Sequence, residues 1–514
     1  MTRPPPHRAF GRGACLVFVA LATLAACAAS TAPPDPPDPA PGAGTSRPVG
    51  PTDRSCTGVA VAPTDDVQAA VDAHPEGSTF CLSAGTYRLA VPLVPKRGDA
   101  FVGQRGAVLS GAKVVGGWQA AGTGWTAPGF LPATTLTSDY CLESAPLCTR
   151  PEDVFLDGRP LRPVASADAV TGGTFYADYT ANTLTIGDDP RSHVVEQAVA
   201  PSLVQATVDA VTIANLVLEH AANPAQVGAI ENREGEPSSS GSGWRIVDNE
   251  VRYNHGVGVG VADASTVTGN LIRDQGQLGI GVWGTGAVFS DNELARNGGA
   301  GYDPDWETGG AKLWTTTGVT LTHNYVHDNI GPGLWADGGN INTSYTYNKI
   351  TDNGNAGIQH EISYDATIMH NEISGNGKRR KGWAWDAGIQ IQSSGGIRLI
   401  EVAYNKVTGN ANGISLIDSG DRTTELPAPH GDHEVRNVWV HDNIVGLSTG
   451  QSTGAVEDTG NPAIFTSNGN RFEGNTYHLS SLSEDYFAWN GDDVDWNGWR
   501  SRAGNDVTGH ATGG

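Results

Sequence analysis

The chain of 514 residues carries a formal net charge of −23 and has an isoelectric point near 4.9. Such an acidic surface repels phosphate groups, which excludes nucleic acids as partners and adsorption to anionic lipid surfaces. The length beyond residue 55 suffices for a large hydrophobic core.

The first 26 residues have the layout of an export signal. Three arginines among the first 12 residues precede an apolar stretch at 15–24 that is too short to span a bilayer. The run Leu-Ala-Ala-Cys at 24–27 resembles a bacterial lipobox, at which cleavage leaves a lipidated Cys27. An ordinary secretory signal with an incidental cysteine is the alternative. We therefore expect an exported protein on the outer face of the cell membrane, attached through the lipid anchor alone.

Residues 27–55 are rich in proline, alanine, threonine and glycine. Because such a tract cannot bury apolar surface, it predicts an extended tether between the membrane and a folded domain.

Four cysteines follow the tether, namely Cys56, Cys81, Cys141 and Cys148. An even number of cysteines in an oxidising compartment predicts disulfides, and four cysteines allow three pairings. We favour Cys56–Cys81 and Cys141–Cys148 because each pair closes a local loop. No C-x-x-C spacing indicates a metal site in their place.

Residues 65–73 (DDVQAAVDA) place three apolar side chains on one face of a predicted helix. With the following residues to 89 they resemble the first coil of the pectate-lyase-like superfamily. The resemblance implies a right-handed parallel β-helix, an all-β fold, whose N-terminal cap helix and first coils occupy 56–111. The segments at 152–164 and 174–190 resemble a small β-rich insertion of some β-helix proteins of carbohydrate metabolism, here placed at 112–200. The aromatic tail, 481–514, resembles a C-terminal cap.

Residues 201–480 are assigned to the coils of the β-helix, and from about residue 244 onward they carry a repeat of about 21 to 24 residues with a few longer steps. A fixed period of this size indicates a solenoid, and short alternating strands without helical periodicity make it a β-solenoid. A leucine-rich repeat is excluded by the absence of its leucine pattern. The recurring element is Asn-x-apolar, and stacked Asn side chains can bond from coil to coil; it recurs at Asn249, Asn270, Asn292, Asn324, Asn348, Asn371 and Asn405.

The register of one strand column predicts a binding face, since alternate residues of a strand face opposite sides. Aligning Val257 with Ile280 and the later Gly-apolar pairs leaves two outward columns. One column contains Gly258, Gly281, Lys312, Trp335, Gln359, Gln390 and Ser415, and the other contains Gly260, Trp283, Trp314, Asp337, Glu361, Gln392 and Ile417. Exposed tryptophan usually marks a binding surface, and sugar rings stack on it. We therefore predict substrate contacts for the three Trp and three Gln residues. The inward His360 is either a buried core residue or a partner of Glu361.

Two long repeats predict loops that wall a cleft beside these columns. The first, at 298–309, brings Asp303 and Glu307, and the second, at 377–387, brings Trp383, Trp385 and Asp386.

Asp337 and Glu361 are the predicted catalytic pair. Strand spacing puts them about 5 Å apart, where like charges repel by roughly 3 kcal/mol at an effective dielectric of 20. One of them should then be protonated in a shielded cleft, and one ionised and one protonated carboxyl serve glycoside hydrolysis. The alternatives are a Ca²⁺ site or a solvated acidic patch. Glu307 and Asp303 are reserve catalytic residues.

Lys312 has two interpretations in the sequence. It is either a salt-bridge partner of the carboxylates or the base of a lyase, which requires a lowered pKa. The other histidines lack convergent spacing, and we assign no metal.

The sequence thus predicts a surface carbohydrate-active enzyme, a glycoside hydrolase acting on an extracellular or cell-wall polysaccharide. A polysaccharide lyase or epimerase acting on uronates is the second hypothesis, and a non-catalytic glycan-binding or adhesion protein is the third. We expect a monomer without a cofactor, Ca²⁺ being the one ion in question.

Overall fold

The computed structural model describes residues 43–132, 140–234, 239–379, 382–419 and 430–514. All of them belong to one unit, Asp38–Gly514. The predicted signal and Cys27 lie outside the described residues. Within the described ranges, no helix is long and apolar enough to cross a membrane.

Three long parallel sheets, here called A, B and C, run along the described chain, and each coil from Thr212 to Trp489 contributes one strand to each sheet. Sheet A contains Val59–Val61, Thr79–Leu82, Ala100–Gly103, Thr212–Ala214, Arg245–Val247, Thr266–Thr268, Val288–Ser290, Thr320–Thr322, Thr343–Thr346, Ala366–Met369, Gly395–Ala403, Arg436–His441 and Arg471–Glu473. Sheet B contains Gly85–Arg88, Ala107–Ser110, Val217–Glu219, Glu250–Arg252, Leu271–Arg273, Glu293–Ala295, Tyr325–His327, Lys349–Thr351, Glu372–Ser374, Lys406–Thr408, Ile444–Leu447, Thr476–Leu479 and His510–Gly513. Sheet C contains Val204–Gln205, Gly228–Glu231, Val257–Val261, Leu278–Thr285, Gly309–Thr317, Leu334–Asp337, Ile358–Glu361, Ala387–Gln392, Asn412–Asp418, Thr453–Glu457, Phe487–Trp489 and the antiparallel Asp492–Val494. The predicted right-handed parallel β-helix is therefore confirmed.

Buried asparagines hold successive coils together at the corner between sheets A and B. Each Nδ2 donates to the Oδ1 of the next asparagine, as from Asn324 to Asn348 and from Asn348 to Asn371, both at 3.0 Å. The same oxygen accepts the backbone N–H of the preceding ladder residue. This ladder satisfies polar groups that would otherwise be buried without partners. The inward-facing side chains of the three sheets form one hydrophobic core inside the solenoid.

Helices lie at both ends of the solenoid, and the one at the N-terminal end was predicted from the sequence. The first, Val67–Ala73, begins at Asp66, whose side chain accepts the backbone N–H of Ala69, and it buries Val67 and Val71. At the other end a short hairpin and the helix Trp496–Ser501 cover the last coil, with Trp499 fully buried. A one-turn helix, Ala463–Thr466, lies before the last coil.

The β-rich insertion interrupts the coils after Ser110 and has its own small core. It forms two sheets and a 3₁₀ turn, Ala167–Ala169. The strands are Ala112–Val114, Gln119–Ala121, Gly124–Pro128, Val154–Leu156, Arg159–Pro160, Arg162–Pro163, Thr174–Asp178, Thr183–Ile186 and Val195–Ala198. Of the three pairings open to the cysteines, the structure has Cys56–Cys81 and Cys141–Cys148.

The end of the predicted tether is not detached from the domain. Residues 43–54 run along the corner between sheets A and B, where Gly44 N–H donates to the Tyr347 carbonyl at 2.9 Å. Arg47 and Arg54 both pair with the buried Asp248. The composition of this segment did not predict these contacts, because they are made by backbone and charged groups and not by apolar side chains.

Candidate functional site

The outer face of sheet C carries most of the predicted site residues, in nearly the predicted register. Trp335 pairs with Gln359, and Asp337 pairs with Glu361. Gln359 pairs in turn with Gln390, and Glu361 with Gln392.

The register of the first aligned coil, Val257–Val261, was wrong by two residues. Ile280 pairs with Val259 and not with Val257, so Gly260 and not Gly258 lies beside Gly281. The Gly-apolar pair that guided the alignment falls at the start of the longer strand Val257–Val261, and the Gly-Val dipeptide repeats there.

The Lys312 ammonium joins two carboxylates at the centre of this face. Its Nζ lies 2.8 Å from Glu307 Oε2, 2.8 Å from Asp337 Oδ2 and 2.7 Å from the Trp306 carbonyl. Burial by itself lowers the pKa of Lys312, but the two carboxylates outweigh it and the pKa is raised. A lyase base needs the opposite shift, so the structure favours the salt-bridge interpretation.

Trp335 and Gln359 hold the Glu361 carboxylate. Its Oε2 accepts a hydrogen bond from Trp335 Nε1 at 3.1 Å and one from Gln359 Nε2 at 2.7 Å. The face of the same Trp335 ring carries the Lys312 ammonium, 3.9 Å from the ring centroid. The Asp337 carboxylate thus lies beside the Lys312 cation, and the indole and amide N–H groups are among the partners of the Glu361 carboxylate.

Much of the predicted outward face is buried, contrary to the expectation of an exposed Trp335. The buried side chains are those of Trp335, Glu361, Gln390, Gln392 and Asp386. The second loop lies against later coils of sheet C, where Ala384 and Trp385 pack in one cluster with Ile417, Val456 and Ala488. The Asp386 backbone N–H donates to Gln390 Oε1, and Gln390 Nε2 donates to Gln392 Oε1. Trp383, in contrast, remains exposed and donates to Asp493.

The open part of the face lies around Trp314, which is 49% exposed. Trp283, half-buried, lies next to it with a ring-centroid distance of 6.5 Å. A register shift between Val282 and Gly284 displaces the two rings from the regular column. Asp337 and Glu307 border this open area with side chains that are 22% and 15% exposed.

Glu231 and Arg233 also lie on this face and were missed in the sequence. Glu231 pairs with Gly260, and its carboxylate binds Arg233, whose guanidinium lies 4.8 Å from the Trp283 ring. The columns were read only from the repeat after residue 244. The sequence nevertheless contains a signal for these two residues. The strand Gly228–Glu231 follows Asn223, just as later strands of sheet C follow an asparagine.

The first loop carries its acidic residues on different sides. Asp303 is half-buried and caps its own turn by accepting the Asp305 backbone N–H, whereas Glu307 faces Lys312. The inward His360 is fully buried and bonds through Nε2 to the Tyr364 carbonyl. Burial lowers the pKa of His360 to about 4, so it belongs to the core.

In the described part of the chain, no group of three or more Cys, His, Asp or Glu side chains is arranged to hold a metal ion. The structure also has two cavities: one of about 670 Å³ between the insertion and the turns near His255, and one of about 690 Å³ lined by Val94, Gln205 and Arg233.

Comparison with known proteins agrees with this fold. A family model described as a right handed beta helix region matches residues 238–401 and 306–426. No curated protein matches the sequence. Among solved structures, XylC in complex with xylose is 16% identical, with 82% of this chain and 83% of that chain covered and a TM-score of 0.61. The A-module of the Azotobacter vinelandii mannuronan C-5 epimerase AlgE4 is 14% identical, with coverages of 87% and 94% and a TM-score of 0.48. At these identities the likeness is one of fold.

Proposed function

We propose that this protein is a glycoside hydrolase that acts on an extracellular or cell-wall polysaccharide at the outer face of sheet C. The observation that carries the proposal is the pairing of Asp337 with Glu361 on adjacent strands, next to the open area around Trp314. Two carboxyl groups flanking one glycosidic bond are the common equipment of this reaction. The XylC structure contains xylose, which supports a carbohydrate as the ligand class.

The different surroundings of the two carboxyl groups suggest their roles. Asp337 is the more exposed and is bonded to the Lys312 ammonium, which suits a carboxylate that attacks as nucleophile or acts as base. Glu361 is buried and accepts hydrogen bonds from Trp335 and Gln359, and we assign it the role of the acid that protonates the leaving oxygen. Adjacent strands separate such groups by roughly 5 Å, which favours retention of configuration over inversion.

A non-catalytic glycan-binding function is the second candidate. It is favoured by the burial of Glu361, which is only 2% exposed, and by the neutralisation of Asp337 in an ion pair. The aromatic rings at Trp283 and Trp314 would then bind sugar without cleaving it.

The test is to assay the full-length protein on a panel of polysaccharides for released reducing ends and, in parallel, for glycan affinity. Asp337→Asn and Glu361→Gln should each abolish product release while leaving affinity within about twofold, and Trp314→Ala should weaken affinity. The matched control is Glu372→Gln, which should behave as wild type. Glu372 is an exposed carboxylate on sheet B that pairs with Lys406.

Wild-type rates from both amide variants would refute the catalytic assignment. Binding without any product from the wild type would establish the glycan-binding function in its place.

A further inference from the structure

The insertion reaches the candidate site through its disulfide-closed loop, residues 140–148. The Cys141–Cys148 bond joins two cysteines that are seven residues apart in the sequence. The Cys148 carbonyl accepts a hydrogen bond at 2.7 Å from His255, which belongs to the coils. This loop is therefore fixed at its base to the solenoid.

The same loop lies against the first long loop of sheet C, which holds Glu307. The Asp303 N–H donates to the Tyr140 carbonyl, and the Leu142 N–H donates to the Gly301 carbonyl, both at 2.9 Å. Gly301 has a φ of +92°, and a Cβ added there would lie 2.3 Å from the Cβ of Ala145, so the two loops are in close contact.

Tyr140 stacks on Trp306, with ring centroids 3.8 Å apart and planes inclined by 13°. Trp306 supplies the carbonyl that binds Lys312 Nζ, and Glu307 follows it in the chain. Tyr140 is 44% exposed, so its ring also offers aromatic surface to solvent beside these groups.

We propose that the candidate site is composite: the disulfide loop of the insertion holds Trp306 and Glu307 against Lys312, and Tyr140 is a further sugar-binding residue. This inference rests on the proposed carbohydrate function of sheet C. It gives the insertion a role at the site, although its own sheets lie outside the solenoid. A ring already stacked on one face loses little freedom when sugar contacts its exposed surface.

The positioning part is tested by amide hydrogen exchange in the full-length protein, a readout independent of activity. Replacing Cys141 and Cys148 together by serine should accelerate exchange at residues 301–307 by about tenfold or more. The matched control replaces Cys56 and Cys81 by serine, removing the disulfide near the N-terminal cap, and should leave exchange at 301–307 unchanged. Equal exchange in wild type and the Cys141/Cys148 variant would overturn this part.

The binding part is tested by glycan affinity and by kinetics. Tyr140→Ala should weaken affinity and raise KM by about fivefold to tenfold, whereas Tyr140→Phe, which keeps the ring, should restore wild-type values. A Tyr140→Ala protein that binds glycan as wild type does would overturn the assignment. A wild-type protein that neither binds nor cleaves any polysaccharide would instead refute the proposed function. The exchange experiment would still test whether the disulfide loop positions Trp306 and Glu307.

Discussion

Replacing Asn348 by alanine should lower the free energy of unfolding by about 2–6 kcal/mol. Asn348 lies in the middle of the ladder that joins the coils between sheets A and B. Its Oδ1 accepts the backbone N–H of Asn324 and the Asn324 Nδ2, both at 3.0 Å, and its Nδ2 donates to the Leu321 carbonyl at 2.9 Å. The Asn324 amide keeps a bond to the Phe289 carbonyl after the substitution. The Asn324 N–H and the Leu321 carbonyl then lose these bonds inside the corner, at about 1–3 kcal/mol for each group left unsatisfied.

Urea unfolding followed by circular dichroism measures this loss as a shift of the midpoint at constant slope. The control is Lys349→Ala at the next residue, whose side chain points outward over the Tyr325 ring and should contribute under about 0.5 kcal/mol. If Asn348→Ala were as stable as Lys349→Ala, the ladder would not be a major source of coil-to-coil stability, and the reasoning would be wrong.

Two further predictions concern pH and the N-terminal segment. Burial lowers the pKa of His220 to about 4, so the unfolded chain binds the extra proton first and stability should fall as the pH drops from about 6.5 towards 4. His220→Phe, which preserves the stacking on Phe155 at 3.7 Å, should remove part of that fall, measured as the Tm difference between neutral and acidic buffer; an unchanged difference would contradict the assignment. Asp248→Ala removes the carboxylate that binds Arg47 and Arg54, so trypsin should cleave after Arg54, which precedes Ser55, faster than in wild type or in Glu372→Gln; equal rates would show that the segment is held by other contacts.

The fold could be predicted because its determinants are periodic. Each coil needs one corner asparagine and one inward apolar residue per strand. The corner asparagine recurs, for example at Asn324 and Asn348, and inward apolar residues such as Ile358 recur with it, at intervals that no helical array produces. The pairing of Asp337 with Glu361 follows from the same period, since both strands begin after similar turns. Where a strand is longer, as at Val257–Val261, the period no longer specifies which Gly-Val pair aligns, and the prediction failed there.

The burial of the site could not be predicted from the period. Whether Trp335 faces solvent depends on where the inserted loops fold, and those loops carry no repeat. The loop residues Ala384 and Trp385 pack against side chains of later coils, and Tyr140 comes from the insertion more than 150 residues before Trp306. Such contacts are tertiary, so a sequence pattern lists the candidate residues but does not establish which of them reach solvent.

Trp335 links the two halves of the candidate site, and this determines how the carboxyl groups differ. One face of its ring carries the Lys312 ammonium, which belongs to Asp337 and Glu307, while the edge of the ring donates its N–H to Glu361. The indole therefore contacts the cation that pairs with one carboxylate and binds the other carboxylate directly, the two being neighbours on adjacent strands. Because this ring is buried, water does not compete for its N–H, whereas an exposed tryptophan, as the sequence suggested, would have shared that hydrogen bond with solvent.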